Sequence, residues 1–201
     1  MRLFFTVLML AISINTADAG DPLQEAFAKS YEHETNNDFT GAINDLRAVY
    51  SETNYEINLR MGWLHYSAGL FTESMSYYTK AMDLMPASVE AKFGSIYPSA
   101  ALGNWDLVKK QYENILNIDP KNTQALYRLG LIHYGREEYD KALANFQVGF
   151  NLYPFDYDFV LMMAWTNLKM GKIREAKVLF NKVMLLSPDD ESATEGLGLI
   201  K

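Results

Sequence analysis

Three histidines, His33, His65 and His133, are the first residues to weigh for chemistry, because imidazole near neutrality serves as a metal ligand or a general base. The chain has no cysteine, which excludes thiolate ligands, thiol nucleophiles, disulfides and a lipid-modified cysteine together. Glu137-Glu138 offers two adjacent carboxylates, Gly196-Leu197-Gly198 a glycine pair, and Lys109-Lys110 a basic doublet. No nucleophile, base and orienting group can be assembled from these. The glycine pair follows no strand and lacks a phosphate-cradling loop. Glu137-Glu138 precedes a predicted helix, where carboxylates act as capping charges, and Lys109-Lys110 reads as a solvated face. The sequence therefore predicts no enzyme, no catalytic residue, no metal site and no cofactor.

The elements that carry these residues are marked out by proline. Pro86, Pro120, Pro154 and Pro188 recur every 34 residues, and proline ends helices. Between Pro120 and Pro154, small or apolar residues fall at Leu126, Leu129, Gly130 and His133, then at Ala142, Phe146 and Gly149. That spacing of three and four describes one helical face, twice, and so a helix, a turn and a helix. The three histidines occupy one common position of the unit, which argues for packing. Stacked helices about 8–10 Å apart would keep such side chains from converging on one metal at bonds of about 2 Å.

The ordered positions Leu129-Gly130, Tyr139, Ala142, Phe146 and Pro154 resemble the tetratricopeptide repeat (TPR) family. The resemblance implies an all-α fold, a right-handed α-solenoid of five TPR helix-turn-helix units and a C-terminal end helix. The expected units are 23–54, 55–88, 89–122, 123–156 and 157–190, with the end helix at 191–201, together making a TPR domain over 20–201. Unit 23–54 is the least regular and reads as a divergent end repeat. Unit 89–122 departs at Ile96 and Val108, where small residues are expected. It also carries Pro98 inside its first helix, which predicts a bend that neighbouring repeats tolerate or, alternatively, that reshapes a groove.

Residues 1–19 read as a signal peptide, with Arg2, an apolar run from Leu3 to Ile14, and Ala17-Asp18-Ala19 as the cleavage site. The run of about twelve is shorter than the roughly twenty a spanning helix needs. A periplasmic or secreted protein with no membrane span in the mature chain is expected. The net charge of -7 argues against nucleic acid as a partner. With 49% hydrophobic and 13% aromatic residues, the chain is expected to bury a substantial core as one continuous domain rather than to be disordered.

In the family, side chains of each first helix line a concave surface that takes extended or helical segments. Carried onto this chain, the resemblance implies partner-binding positions at Phe27, Tyr31, Arg60, Trp63, Tyr66, Phe93, Tyr97, Tyr127, Arg128, Tyr134 and Trp165. An apolar, aromatic groove suits burial of a partner's side chains, and Arg60 and Arg128 suit its carboxylates. The lysine and asparagine clamp of chaperone-binding members is not matched, since Phe27, Tyr31, Leu59 and Trp63 stand there. The sequence points to a non-catalytic protein-protein interaction module or assembly scaffold in the cell envelope, its protein partner unidentified. Two alternatives stay open: a carbohydrate-binding or polysaccharide-export factor, and a regulatory subunit of an envelope enzyme complex. Self-association through the C-terminal end helix is a further expectation.

Overall fold

The computed structural model describes residues 21–200, so the expected signal peptide lies outside the described residues. Those residues form eleven α-helices and no strand. Two compact units divide at Tyr50 and Ser51. The first holds α1 (Pro22–Thr35) and α2 (Phe39–Arg47). The second holds α3 (Tyr55–Ser67), α4 (Phe71–Leu84), α5 (Val89–Ala101), α6 (Trp105–Ile118), α7 (Thr123–Gly135), α8 (Tyr139–Leu152), α9 (Tyr157–Lys169), α10 (Ile173–Leu186) and α11 (Glu191–Leu199).

The second unit repeats with little variation: its first helices have 13 residues and its second helices 14. Pro86, Pro120, Pro154 and Pro188 each sit at the second place of a β-turn, where the fixed φ of proline is favoured. The turns close from Ser88 N–H to the Met85 carbonyl (2.9 Å), Asn122 to Asp119 (3.1 Å), Asp156 to Tyr153 (3.1 Å) and Asp190 to Ser187 (3.2 Å). The last residue of each turn then caps the next helix. Ser88, Asn122, Asp156 and Asp190 accept from the backbone N–H groups of Ala91, Ala125, Phe159 and Ala193 at 2.8–3.2 Å. Each such cap contributes roughly 1 kcal/mol. Stop and start signals thus occupy three consecutive residues, which holds the repeat length constant.

Within a hairpin the helices cross at small residues. Gly62 faces Ser74, whose hydroxyl donates to the Gly62 carbonyl at 2.7 Å, and Ala142 and Ala176 are fully buried. Over the crossing lies a ring. A β-carbon on Gly62 would stand 2.9 Å from the ring of Tyr78, and one on Gly94 of the next hairpin 2.2 Å from the same ring. Phe180 lies as close to Gly196 of α11. Fully buried Phe146 and Phe180 each add up to about 3 kcal/mol by leaving water.

The turn inside each hairpin uses a residue with positive φ: Gly69, Gly103, Glu137 and Gly171, again 34 apart. It is closed by the carbonyl of a buried polar residue. His65, Ser99, His133 and Asn167 accept from Leu70, Asn104, Glu138 and Lys172 at 2.8–2.9 Å, in the manner of a Schellman motif.

The first unit is a shorter hairpin, closed the same way by Asp38 N–H on the His33 carbonyl at 2.9 Å. Ala26 and Ser30 of α1 and Ala42, Ile43 and Leu46 of α2 are buried. The His33 Nδ1 lies 2.6 Å from Asp45 Oδ2, and that hydrogen bond raises the histidine's pKa.

α5 continues through Pro98 as one helix. The pyrrolidine nitrogen gives the Gly94 carbonyl no hydrogen bond, and neighbouring hydroxyls turn inward: Ser95 donates to Lys92 O (2.8 Å) and Ser99 to Ser95 O (2.6 Å).

Candidate partner-binding cleft

The third hairpin, α5 and α6, departs from the pattern, with Ile96 and Val108 where the others cross at small residues. Both are buried, and this hairpin makes the sparsest helix-helix contact of the four in the second unit. α6 likewise meets α7 less closely than α4 meets α5. Branched side chains at a crossing hold backbones apart. Tyr112, the ring over this crossing, faces Ile96 and Arg128 rather than a glycine pair. The result is a cleft of about 720 Å³, within the range of natural ligand sites.

Rings dominate its wall: Tyr66 from α3, Phe93 and Tyr97 from α5, Trp105 and Tyr112 from α6. Tyr66 and Tyr97 stand 5.6 Å apart between centroids, and Phe93 meets Tyr112 edge-on at 6.3 Å. Tyr97 is 46% exposed and Trp105 55%, so apolar surface faces solvent on both sides. Burial raises the pKa of Tyr112, which Arg128 partly offsets. Two arginines, Arg128 and Arg136, complete the lining, and no carboxylate shares it. Arg136 pairs with Asp106 on the rim at 2.9 Å, whereas Arg128 makes no ion pair among the described residues.

Of the sequence-predicted positions, the fold gathers Tyr66, Phe93, Tyr97 and Arg128 in this cleft. Trp63 adjoins it through Tyr66, at 5.9 Å between rings. Tyr134 stands edge-on to Tyr139 at 5.6 Å. Tyr127 lies on Phe146 (6.1 Å) and Phe159 (5.7 Å), half-buried. Trp165 lies edge-on to Phe180 at 5.2 Å, and its indole N–H donates to Ser192 Oγ of α11 at 2.9 Å. Arg60 is 8% exposed. Phe27 and Tyr31, at 6.5 Å, belong to the first unit.

Trp105, Tyr112 and Arg136 escaped the sequence reading because they lie on α6 and at the end of α7, outside the groove-facing positions of first helices. The available signal was Ile96 with Val108, since widening one crossing must open the space beside it.

The histidines are helix-end devices. His65 Nδ1–H donates to the Met61 carbonyl at 2.8 Å, and His133 Nδ1–H to Glu138 Oε2 at 2.7 Å. Glu138 occupies the N-cap position of α8 without a side-chain cap bond. Its carboxylate instead accepts from Lys141 at 3.0 Å and from His133, and those two bonds lower its pKa to about 2. Among the described residues no group of three or more His, Cys, Asp or Glu could hold a metal ion.

Helical hairpins repeating at 34 residues define an all-α helical-repeat protein. Tetratricopeptide repeat models match residues 55–88, 124–154 and 157–190, three of the hairpins. Hsp70-Hsp90 organizing protein 3 of Arabidopsis thaliana is 26% identical over 149 residues, covering 70% of this chain and 27% of the relative. TPR repeat-containing protein YpiA of Bacillus subtilis (strain 168) is 25% identical over 122 residues, covering 61% and 29%. The chain thus spans little more than a quarter of either relative. A tetratricopeptide repeat protein from Parabacteroides merdae ATCC 43184 has the same fold, with a TM-score of 0.74 and 22% identity over 88% of this chain and 71% of that one. MamA from Desulfovibrio magneticus RS-1 gives 0.68 and 21%, over 85% and 99%. Tetratricopeptide repeats serve typically as non-catalytic protein-binding scaffolds, and no helix of the described residues is long and apolar enough to cross a membrane.

Proposed function

We propose that this chain is a non-catalytic interaction module or assembly scaffold of the cell envelope, periplasmic or secreted, which captures a partner protein through the aromatic cleft beside α5 and α6. The observation that carries the reading is the cleft itself: exposed Tyr97 and Trp105 flank a cavity of about 720 Å³ that also holds Arg128. Large rings with an arginine are the composition of binding hot spots, where a few desolvated side chains supply most of the affinity. One relative's name, that of an organizing protein of Hsp70 and Hsp90, supports an assembly role.

The test is affinity capture from the cell of origin with the chain, its Tyr97→Ala and Trp105→Ala variants, and Asn181→Ala as a control on exposed α10 surface. A protein retained by the chain and by Asn181→Ala, but lost from both cleft variants at unchanged helical content, is the expected outcome. Equal recovery on all four would remove the cleft from the function. Trp fluorescence that responds to oligosaccharides and to no peptide would move the reading to a carbohydrate-binding factor. N-terminal sequencing of the envelope fraction should begin at Gly20, and an intact Met1 there would contradict export with processing.

A further inference from the structure

A second, smaller cleft of about 320 Å³ opens on the other side of Gln124, which lines both. Its chemistry is opposite. Tyr127, Tyr153 and Phe159 supply rings, Asp156 and Asp158 supply carboxylates, and no basic residue takes part. One oxygen of Asp156 accepts the Phe159 N–H at 3.2 Å to cap α9, while Asp158 is exposed and makes no ion pair among the described residues. Tyr153 is 57% exposed, which leaves a ring face beside the carboxylates. Rings beside carboxylates suit a lysine or arginine side chain, which gains a cation-π contact and an ion pair together.

Tyr127, between the two clefts, feels both fields. Burial first, then Asp158 and Asp156, raise its pKa, while Arg128 acts in the opposite direction. Arg128 stands one helical turn from Gln124 on α7, roughly 5–6 Å along the axis. An extended chain advances about 3.3–3.6 Å per residue, so one segment crosses from cleft to cleft within about two to four residues.

Resting on the protein-binding reading above, we infer that the partner segment lies across Gln124 with a large apolar side chain and a carboxylate in the Arg128 cleft and a lysine or arginine in the Asp158 cleft. A given segment entered backwards would set like charges together in both clefts, so the pair fixes which end of that segment lies in which cleft.

The test compares binding of the chain to short synthetic peptides carrying an acidic residue beside an aromatic one and a lysine at varied spacing with binding to the same peptides in which glutamate replaces the lysine. The lysine peptide should bind more tightly than the glutamate peptide by about tenfold, equivalent to about 1.4 kcal/mol. Asp158→Lys should invert that preference, and Arg128→Glu should weaken the lysine peptide, both at unchanged helical content because both residues are exposed. Equal binding of the two peptides, an uninverted preference in Asp158→Lys, or no binding of either peptide overturns the inference. Capture of a partner through Tyr97 and Trp105 is measured separately and stands or falls by itself.

Discussion

The ring of Phe146 fills the space that a β-carbon on Gly130 would need: the nearest ring atom would lie 2.4 Å away. Gly135, five residues on in the same helix, has nothing within 4 Å of the equivalent point. Gly130→Ala gains up to about 1 kcal/mol of helix propensity but overpacks a buried ring, a cost of about 1–3 kcal/mol. Gly135→Ala carries only the gain. Urea denaturation should therefore find the first variant less stable than the parent and the second equal or more stable. A stabilised Gly130→Ala would show that the crossing is looser than the structure describes.

Gly103 and Glu137 occupy the same turn of successive hairpins, at φ of 72° and 60°. At Gly103 a β-carbon meets no atom within 4 Å, so only backbone conformation resists a side chain. Gly103→Ala should cost about 1–2 kcal/mol, the ordinary penalty of the left-handed region for an L-residue. Glu137→Gly relieves that same penalty, and its greater unfolded entropy offsets part of the gain. Thermal melts of the two variants should move in opposite directions, or Glu137→Gly should at least not fall.

The Glu138 carboxylate has its pKa lowered from 4.5 to about 2, first by Lys141 and then by His133. A depressed folded value means the charged form is favoured by folding. Its contribution is complete above about 4.5 and drains away as pH falls toward 2. Glu138→Gln should flatten the stability profile in that window while changing its shape little near neutrality. Parallel acid limbs for parent and variant would show that this carboxylate is not linked to folding.

Trp165 and Trp105 should respond differently to truncation. Half-buried Trp165 packs on Phe180 and is bonded to Ser192, so Trp165→Ala should cost about 2–4 kcal/mol and loosen α11. Ser192→Ala should cost roughly 1 kcal/mol and shift the indole emission. Trp105→Ala, at a site 55% exposed, should leave stability nearly unchanged. Hydrogen exchange across α11 separates the cases: faster exchange is expected in the first two variants alone.

How far the chain could be read without coordinates follows from where each signal resides. The proline period and the small residues at Gly130 and Ala142 are local chemistry, since fixed φ and missing side-chain volume act wherever the residue stands. They carried the all-α repeat fold. The caps at Ser88, Asn122, Asp156 and Asp190 are equally local, two residues beyond each of these prolines. The departures at Ile96 and Val108 were visible as departures, yet nothing local said that they widen a crossing rather than repack it.

The sequence alone determined that helical hairpins would recur, because helix stops, turn residues and crossing residues are each specified within one repeat. Only the tertiary structure decided which rings meet. Whether Tyr97 or Trp165 is available depends on the helix that arrives from the next hairpin, tens of residues away. α11 brings Ser192 to Trp165, while α7 brings Arg128, a cation, to the cleft beside Tyr97. Burial is a property of neighbours across space, and a period of 34 residues fixes the positions of those neighbours without fixing their size.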